Sequence, residues 1–413
     1  MSESLARRSR AHVIPIGRRW AIVSSGNAQG TCRVGPGMRV MLLVTRGDLI
    51  GGAQVHVRDL AVRLCRDGGD ATVVTGVAGA LTDQLTDAGI PWQTCRGMLR
   101  EVDPLRDFQA VRGLLDLLHE IRPDIVSTHS SKAGILGRIA ARIARVPAIF
   151  TAHGWAFTEG VPEPRRTIYR QIERACAPLA AKIVCVSDHD GAIAAKAGIS
   201  PGRICVIHNG MPDIDPGLAA QPGEAKGRPR AVMIARFDRQ KDHATLLAAL
   251  VMVPELGLDL IGDGPGRAET ERLAIAMGLE DRVAFLGQRA DVAGLLSRAH
   301  LFVLSSRWEG FPRSTLEAMR AGLPVVVTDV GGAAEAVTEG LTGHVVPPGN
   351  TTALAERLRQ LTVDPWLRAA MGAAGRRRYE DAFTFERMYD ATMDVWTKAA
   401  DSSRSRAMRG GRR

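Results

Sequence analysis

The chain has 413 residues, of which 45% are hydrophobic and 24% are charged, a composition that excludes a fully disordered chain and a bulk membrane protein. This length exceeds what one hydrophobic core usually organises, so we expect two domains. The formal net charge of +10 lies almost entirely at the two ends, because residues 1–36 carry six Arg and one Glu and residues 401–413 carry five Arg and one Asp. The middle of the chain is nearly neutral, and no nucleic-acid partner is expected.

Both basic ends, residues 1–37 and 401–413, are predicted to be disordered tails. The first lacks the continuous apolar segment and the small-residue cleavage site of a secretory signal. An alternative is that translation begins at Met38, because the strand-like run MRVMLLVT starts there. The six scattered cysteines form no CxxC pair and indicate reduced thiols, which predicts a cytoplasmic location.

From Met38 onward, short apolar runs alternate with helical stretches. In the first half the runs are residues 39–45, 71–76, 124–129, 147–153 and 182–187. Unbroken apolar strands are expected where both faces of a sheet are covered, and intervening helices are typical of a parallel, doubly wound sheet. We therefore predict a Rossmann-like α/β domain over residues 38–208.

A stretch rich in Gly, Pro and Asp, residues 209–229, is interpreted as a linker. The runs beyond it are residues 230–236, 258–264, 282–287, 300–306 and 324–329. They predict a second Rossmann-like domain over residues 230–385, followed by a helix at 386–400 that returns to the first domain. Ligands of such sheets bind beyond the carboxyl ends of the strands, so we expect one central cleft between the two domains.

Two glycine-containing turns follow predicted strands. Gly51-Gly52 leads into a helix, where bare backbone N–H groups can approach an anion, although a plain tight turn is the alternative. Asp263-Gly264, in IGDGPG, resembles a dinucleotide fingerprint without the full GxGxxG spacing. Because neither turn completes that spacing, an NAD-dependent oxidoreductase is disfavoured.

ARFDRQKD, residues 235–242, places two cations at a strand-to-helix turn. Arg236 ends a strand and Lys241 begins the next helix, an arrangement that suits a diphosphate. A pair of surface charges is the alternative.

WEGFPRSTLEAM contains two glutamates eight positions apart. Glu309 precedes a Gly-Phe-Pro turn, and Glu317 lies two turns inside the helix that follows. Pro312 suits a helix start because it has no N–H, so Gly310 and Phe311 lie at the positive end of the helix dipole. A carboxylate accepts two hydrogen bonds at once, which suits a diol. An ion pair between Glu309 and a nearby arginine is the alternative, and it leaves the turn unexplained.

Together these motifs resemble glycosyltransferase family 4, the retaining nucleotide-sugar enzymes of the GT-B fold. The resemblance covers residues 38–398, and its most specific element is E-x7-E. In chain order the motifs are Gly51-Gly52, His153 in TAHGW, Asn209-Gly210, Arg236 with Lys241, Asp263-Gly264, and Glu309-Gly310-Phe311-Pro312 with Glu317.

The resemblance implies transfer of a sugar from a nucleoside-diphosphate sugar with retention at the anomeric carbon. Because a cationic pair is available for the leaving diphosphate, no metal or other cofactor is expected. The resemblance also implies that Glu309 and the following amides hold the donor sugar, that Glu317 binds the ribose hydroxyls, and that the two cations stabilise the departing diphosphate. The expected catalytic residues are Glu309, His153, Arg236 and Lys241. The expected donor-binding residues are Gly51, Gly52, Asn209, Asp263, Gly264, Gly310, Phe311, Pro312 and Glu317.

Further positions follow strand ends. His153 is expected near the reacting carbon, with a packing role as the alternative. His129 and Ser130 are expected to bind the acceptor, although Ser130 also suits a helix cap. The turn at 329–335, with Asp329, Gly331, Gly332 and Glu335, is placed near the nucleotide by the resemblance. DHD at 188–190 and DID at 213–215 imitate a metal site but are interpreted as capping and turn residues.

The segment 128–157 looks like parts of family members that build bacterial surface polysaccharides on lipid carriers, so a lipid-linked saccharide is the expected acceptor. It contains two stripes at helical spacing, Ile135, Ile139 and Ile143 beside Arg138, Arg142 and Arg145. Such stripes are typical of a core-facing helix, or of one that docks on an anionic membrane. The second interpretation predicts a peripheral location at the inner face of the membrane.

Two further classes remain as alternatives. A nucleotide-sugar epimerase shares the two-domain architecture, but the E-x7-E element favours a transferase. A non-catalytic membrane-binding or RNA-binding protein would depend on the basic tails.

Overall fold

A computed structural model describes residues 37–158, 160–224 and 227–410. Apart from Gly37, the predicted N-terminal tail lies outside these residues, as do residues 411–413. No helix in the described ranges has both the length and the apolar character needed to cross a membrane.

The first half of the chain forms one parallel sheet flanked by helices. Its strands are β1 Arg39–Val44, β2 Asp70–Thr75, β3 Trp92–Thr94, β4 Ile125–Thr128, β5 Ala148–Ala152, β6 Lys182–Cys185 and β7 Ile204–Val206. Its helices are α1 Gly52–Arg66, α2 Ala80–Asp87, α3 Pro104–Ile121, α4 Ser131–Ala144, α5 Arg165–Cys176 and α6 Asp188–Lys196. The strand order is β3-β2-β1-β4-β5-β6-β7. The sequence does not predict β3, because this edge strand has only three residues.

The second half repeats this plan. Its strands are β8 Arg230–Ile234, β9 Gly257–Ile261, β10 Val283–Gly287, β11 Leu301–Leu304, β12 Val325–Thr328 and β13 Gly343–Val346, in the order β10-β9-β8-β11-β12-β13. Its helices are α7 His243–Val251, α8 Arg267–Ala276, α9 Val292–Leu296, α10 Arg313–Ala321, α11 Thr351–Val363, α12 Pro365–Ala382 and α13 Phe385–Gly410. Short 3-10 helices lie at Ala177–Leu179, Pro201–Arg203, Pro216–Leu218 and Gly331–Ala336.

Both sheets reverse their strand order once, between β1 and β4 and between β8 and β11. Every residue of β4, β5, β11 and β12 is buried, because helices cover both faces of each sheet. A crevice opens at the carboxyl ends of the strands where the order reverses. The two reversals therefore determine where a ligand can enter each half of the protein.

Helix α13 returns to the first sheet. Met388 and Trp396 on this helix are buried in one apolar cluster with Val40 and Leu42 of β1. The predicted disordered tail at 401–413 is wrong as far as Gly410, because the helix continues to that residue. Its last turns are anchored by Arg404, whose Nη2 lies 2.7 Å from Oδ1 of Asp124, the residue directly before β4.

Helix α4 does not present the arginine stripe expected of a membrane-docking helix. Arg138 is fully buried, donates to Glu173 Oε2 of α5 at 2.6 Å, and stacks over Phe150 with its guanidinium carbon 4.5 Å from the ring centre. Only Arg142 and Arg145 of the stripe are exposed. The helix therefore faces the core through Arg138, and the membrane interpretation loses the first of its three arginines.

Replacing Glu173 by Ala should lower the free energy of unfolding by about 3–5 kcal/mol, because it leaves a buried guanidinium without its counter-charge. Chemical denaturation measures the change. Asp394→Ala is the matched control, because it breaks an exposed pair with Lys398 and should cost less than about 1 kcal/mol. Similar losses in the two variants would contradict a structural role for the buried pair.

Candidate active site

The carboxyl ends of the two sheets meet at one point of close backbone approach. A Cβ atom added to Gly310 would lie only 2.8 Å from the carbonyl oxygen of His153. Gly310 follows β11 and His153 follows β5, so only a residue without a side chain fits between the two strand ends. The crevices of the two sheets therefore form one cleft.

Glu309 is the centre of a polar cluster on the wall of this cleft. Its carboxylate forms an ion pair with Lys241, accepts from Ser306 Oγ at 2.5 Å, and lies 3.4 Å from Gln240 Nε2. Its side chain is only 7% exposed. The ion-pair partner is thus a lysine and not the nearby arginine considered as an alternative. Lys241 and Ser306 meet because they follow β8 and β11, which are neighbours in the sheet.

Arg236 and Asp263 lie on the outer rim. The Arg236 side chain is 62% exposed and donates from Nε to Asp238 at 2.6 Å. The Asp263 carboxylate accepts from the Gly264 N–H at 2.7 Å, and the Asp263 carbonyl accepts from the Phe237 N–H at 3.1 Å. The loops after β8 and β9 are therefore joined into one rim, and Arg236 is not part of the Glu309 cluster.

Glu317 has no hydrogen bond or ion pair within the described part of the chain. It lies on α10, and desolvation raises its pKa above the ordinary value while the charges of Arg313 and Arg320 act in the opposite direction. A partly buried carboxylate without a partner retains its full acceptor capacity for a ligand.

The Gly-Phe-Pro turn is supported from beneath. The Phe311 side chain is buried, with its ring centre 4.9 Å from that of His208, and its carbonyl accepts from Asn209 Nδ2 at 2.9 Å. Asn209 therefore holds the turn through its amide nitrogen. Pro312 occupies the cap position and α10 begins at Arg313, one residue later than a proline in the first helical position would imply.

The turn after β12 packs directly on the Glu309 backbone. Gly331 has a φ of +53°, and a Cβ atom there would lie 1.8 Å from the Glu309 carbonyl oxygen. The Gly332 N–H donates to the Gly310 carbonyl at 2.7 Å. This turn therefore fixes the backbone of Glu309 and Gly310, where the E-x7-E element begins, relative to the end of β12.

Glu335 binds the start of helix α6. Its carboxylate accepts from the N–H groups of Asp188 and His189 at 2.8 and 2.7 Å, and from His208 Nε2 at 3.0 Å. A side chain of the second half thus caps helix α6 of the first half. The amides of a helix N-terminus favour a negative charge, so this contact joins the two halves, and the proximity of the turn at 329–335 to a nucleotide stays a prediction.

Three histidines meet on the opposite wall of the cleft. Their ring centres are 4.8 to 5.5 Å apart, and His129 Nδ1 lies 3.2 Å from His153 Nε2. Burial lowers the pKa of His153 to about 4 and the pKa values of His56 and His129 well below the ordinary value, so the rings are neutral at neutral pH. Sequence reasoning missed His56, although its place one helical turn after Gly52 in α1 points to the same cleft.

The predicted site residues at the starts of α1 and α4 differ in part from what the sequence predicts. Ser130 occupies the cap position of α4 but makes no capping bond, because its Oγ lies 2.7 Å from Thr45 Oγ1. Thr45 Oγ1 instead accepts from the Ala133 N–H of α4. Gly51 caps α1, and a Cβ atom on Gly52 would lie 3.5 Å from Arg313 Cδ.

Two groups in the described residues have metal-ligating atoms close together. His56, His129 and His153 form one group, and Asp188, His208 and Glu335 form the other, with all ligand atoms within 4.8 Å. The second group is already held together by the cap on α6. DID at 213–215 is a turn, in which Asp215 Oδ1 accepts from the Gly217 N–H at 2.8 Å.

Gly331→Ala should destabilise the protein more than Gly349→Ala. Both glycines have a positive φ, but a Cβ atom at Gly349 meets nothing within 4 Å. The free energy of unfolding of the control should therefore fall only by the cost of a left-handed backbone, about 1–2 kcal/mol. That of Gly331→Ala should fall by a further amount of about 1–3 kcal/mol, because the new Cβ displaces the Glu309 carbonyl. Urea denaturation measures both, and equal losses would show that the contact is not tight.

Comparison with known proteins gives two family matches side by side. The model described as "Glycosyltransferase Family 4" matches residues 50–213, and the model described as "Glycosyl transferases group 1" matches residues 217–378.

Two relatives and one solved structure illustrate the similarity. The putative glycosyltransferase EpsD of Bacillus subtilis is 30% identical over 320 residues, covering 72% of this chain and 84% of the relative. The UDP-Gal:α-D-GlcNAc-diphosphoundecaprenol α-1,3-galactosyltransferase of Escherichia coli is 28% identical over 344 residues, covering 79% of this chain and 88% of the relative. The crystal structure of Anabaena HepE with UDP and glucose has a TM-score of 0.76 at 25% identity, covering 87% of this chain and 100% of that one.

Proposed function

The chain belongs to glycosyltransferase family 4 and has the GT-B fold that its sequence predicts, and on that premise we propose a specific reaction for it. A sugar passes from a uridine diphosphate sugar to a hydroxyl of a lipid-linked saccharide, with retention and without a metal. The bond between the anomeric carbon and the diphosphate breaks, and a bond to the acceptor oxygen forms on the same face. The hydroxyl proton passes to the leaving diphosphate.

The arrangement around the Gly-Phe-Pro turn carries this proposal. Glu309 is held by Lys241 and Ser306, whereas Glu317, eight residues later, has no partner among the described residues. The free carboxylate suits the two ribose hydroxyls of a nucleotide. The held carboxylate and its neighbouring amides are rigid enough to orient a sugar ring.

The donor is inferred from relatives. HepE is crystallised with UDP, with UDP and glucose, and with UDP-glucose, and the Escherichia coli relative is named for UDP-Gal. These names support a uridine diphosphate sugar here. The relatives do not favour an epimerase or a non-catalytic binding protein, and analysis of reaction products distinguishes an epimerase from a transferase.

Two cations replace the metal in the proposed reaction. Lys241 is anchored beside the sugar position by Glu309, and Arg236 on the rim is tied only to Asp238 by an exposed pair, which a diphosphate can displace at small cost. Positive charge fixed where the leaving group develops negative charge lowers the barrier most effectively. Across the cleft, the neutral rings of His129 and His153 can hydrogen-bond acceptor hydroxyls without adding charge.

Replacing each of the two glutamates by Gln should impair a different step, either UDP binding or turnover. Glu317→Gln should weaken UDP binding by about 1.5–3 kcal/mol, the range for hydrogen bonds to a charged group. Glu309→Gln should leave UDP binding nearly unchanged but lower turnover more than tenfold, a loss above about 1.4 kcal/mol in the transition state. Calorimetry with UDP alone and initial transfer rates in EDTA separate the two effects. Equal weakening of UDP binding, or transfer at the parent rate in both variants, would refute these roles.

An apolar and basic surface near the acceptor wall supports the lipid-linked acceptor. Val102, Leu105 and Phe108, at the start of α3, are 74%, 78% and 63% exposed. Three exposed arginines lie among or beside them, Arg100, Arg106 and Arg112, together with the exposed Glu101, and Arg106 pairs with Asp103. Apolar side chains framed by cations suit the boundary between anionic headgroups and acyl chains.

This surface is fastened to the cleft by Lys132, two residues beyond Ser130. Its Nζ donates to the Glu101 carbonyl at 2.8 Å and forms an ion pair with Asp107. An enzyme docked through this surface would therefore hold its acceptor wall close to the membrane. We accordingly place the proposed reaction at the inner face of the membrane.

Replacing both Leu105 and Phe108 by Asp should reduce co-sedimentation with phosphatidylglycerol vesicles at least about tenfold, because two apolar side chains no longer enter the membrane. Trp366→Asp is the control, since Trp366 is 84% exposed on α12 and lies outside this surface. UDP binding should be the same in all three proteins. Unchanged sedimentation of the double variant would rule out this docking surface.

A further inference from the structure

A polar cavity opens beside Glu309. It has a volume of about 630 Å³, which falls within the range of small-molecule sites, and it lies between helices α5 and α6 and the loops after β11 and β12. The residues that matter for its chemistry are Arg166, Arg170, Lys196, Arg307, Glu309 and Asp329. Neither Arg236 nor Lys241 lines it.

The cavity has more positive than negative charge available to a ligand. Arg170 of α5 and Lys196 of α6 have no hydrogen bond or ion pair within the described ranges of the chain. Of the two acidic groups in the lining, Glu309 is already paired with Lys241. The other, Asp329, has no ion-pair partner among the described residues.

One further cation is held only loosely. Arg166 pairs with Glu163, and the two side chains are 42% and 50% exposed. A pair at such exposure contributes little, so the Arg166 guanidinium can turn toward a bound anion. Arg307 is held more firmly, because its partner Asp242 is only 2% exposed. Three cations, Arg166, Arg170 and Lys196, are therefore available to one anion beside Glu309.

We propose that this cavity binds the diphosphate of the acceptor, so that the enzyme selects saccharides carried on a diphosphate rather than neutral saccharides. The inference rests on the proposed function, in which Arg236 and Lys241 take the diphosphate of the donor. An arginine fork and a lysine point charge on separate helices match the several oxygens of a diphosphate better than a single carboxylate. Glu309 then stands between two anion sites, one for the leaving group and one for the acceptor.

The test uses inorganic pyrophosphate as the probe, titrated by calorimetry into full-length protein already saturated with UDP, so that the donor site is filled. Pyrophosphate should bind the parent protein, and the double variant Arg170→Gln, Lys196→Gln should bind it at least about tenfold more weakly. The matched control removes two exposed arginines outside the cavity, Arg142→Gln and Arg145→Gln, and should bind pyrophosphate as the parent does.

Three results would overturn the inference: no pyrophosphate binding to the UDP-saturated parent, equal binding in the parent and the cavity variant, or equal weakening in the control. Inorganic sulfate bound as tightly as pyrophosphate would also contradict a diphosphate site. The titration with UDP alone tests the proposed function separately, because the cavity variant should retain the parent affinity for UDP. Failure of UDP to bind the parent counts against the proposed function, whereas failure of pyrophosphate alone counts against this cavity.

Discussion

The packing of bare backbone around Glu309 and Gly310 is the constraint on which the rest of the cleft depends. Gly331 leaves room for the Glu309 carbonyl, and Gly310 leaves room for the carbonyl of His153 on the opposite sheet. With no side chain at either position, three strand ends from two sheets approach within van der Waals distance. The polar groups that follow those strands are consequently brought to one place, although β5 and β11 are more than a hundred residues apart in the chain.

The two walls of the cleft differ in the charge of their side chains. On the second sheet, Glu309 is neutralised by Lys241, while burial raises the pKa of the Glu317 carboxyl, which has no hydrogen bond or ion pair among the described residues. On the first sheet, burial keeps three histidines uncharged. In the proposed reaction, charge is therefore concentrated beside the departing donor diphosphate, and the histidine wall offers hydrogen bonds to the acceptor without adding charge.

The two halves are also tied to each other away from the chemistry. Glu335 caps α6 across the boundary, and Arg313 of α10 lies 3.3 Å from Asp59 of α1. Helix α13 leaves the second half and packs on the first sheet. These contacts rely on polar groups and one helix, so the relative position of the halves can be adjusted by a ligand more easily than the core of either half.

Local patterns in the sequence were enough to predict the architecture. Unbroken apolar runs require sheets covered on both faces, and the Glu309–Glu317 spacing across a Gly-Phe-Pro turn identifies the family, because both depend on residues close together in the chain. Arg138 shows where such patterns fail. Its spacing suggested a solvated stripe, but its burial depends on Glu173, which belongs to a different helix.

The same reason applies at the site. Ser130 has the position of a helix cap, yet Thr45, which follows β1, accepts the bond from the Ala133 N–H, and the Glu335 carboxylate accepts from the amides of α6 in the other half. Spacing along the chain determined which elements form and which residues stand at their ends. Only the tertiary structure decided which partner each polar side chain finds, because hydrogen bonds and ion pairs depend on distances in space between segments that the sequence leaves far apart.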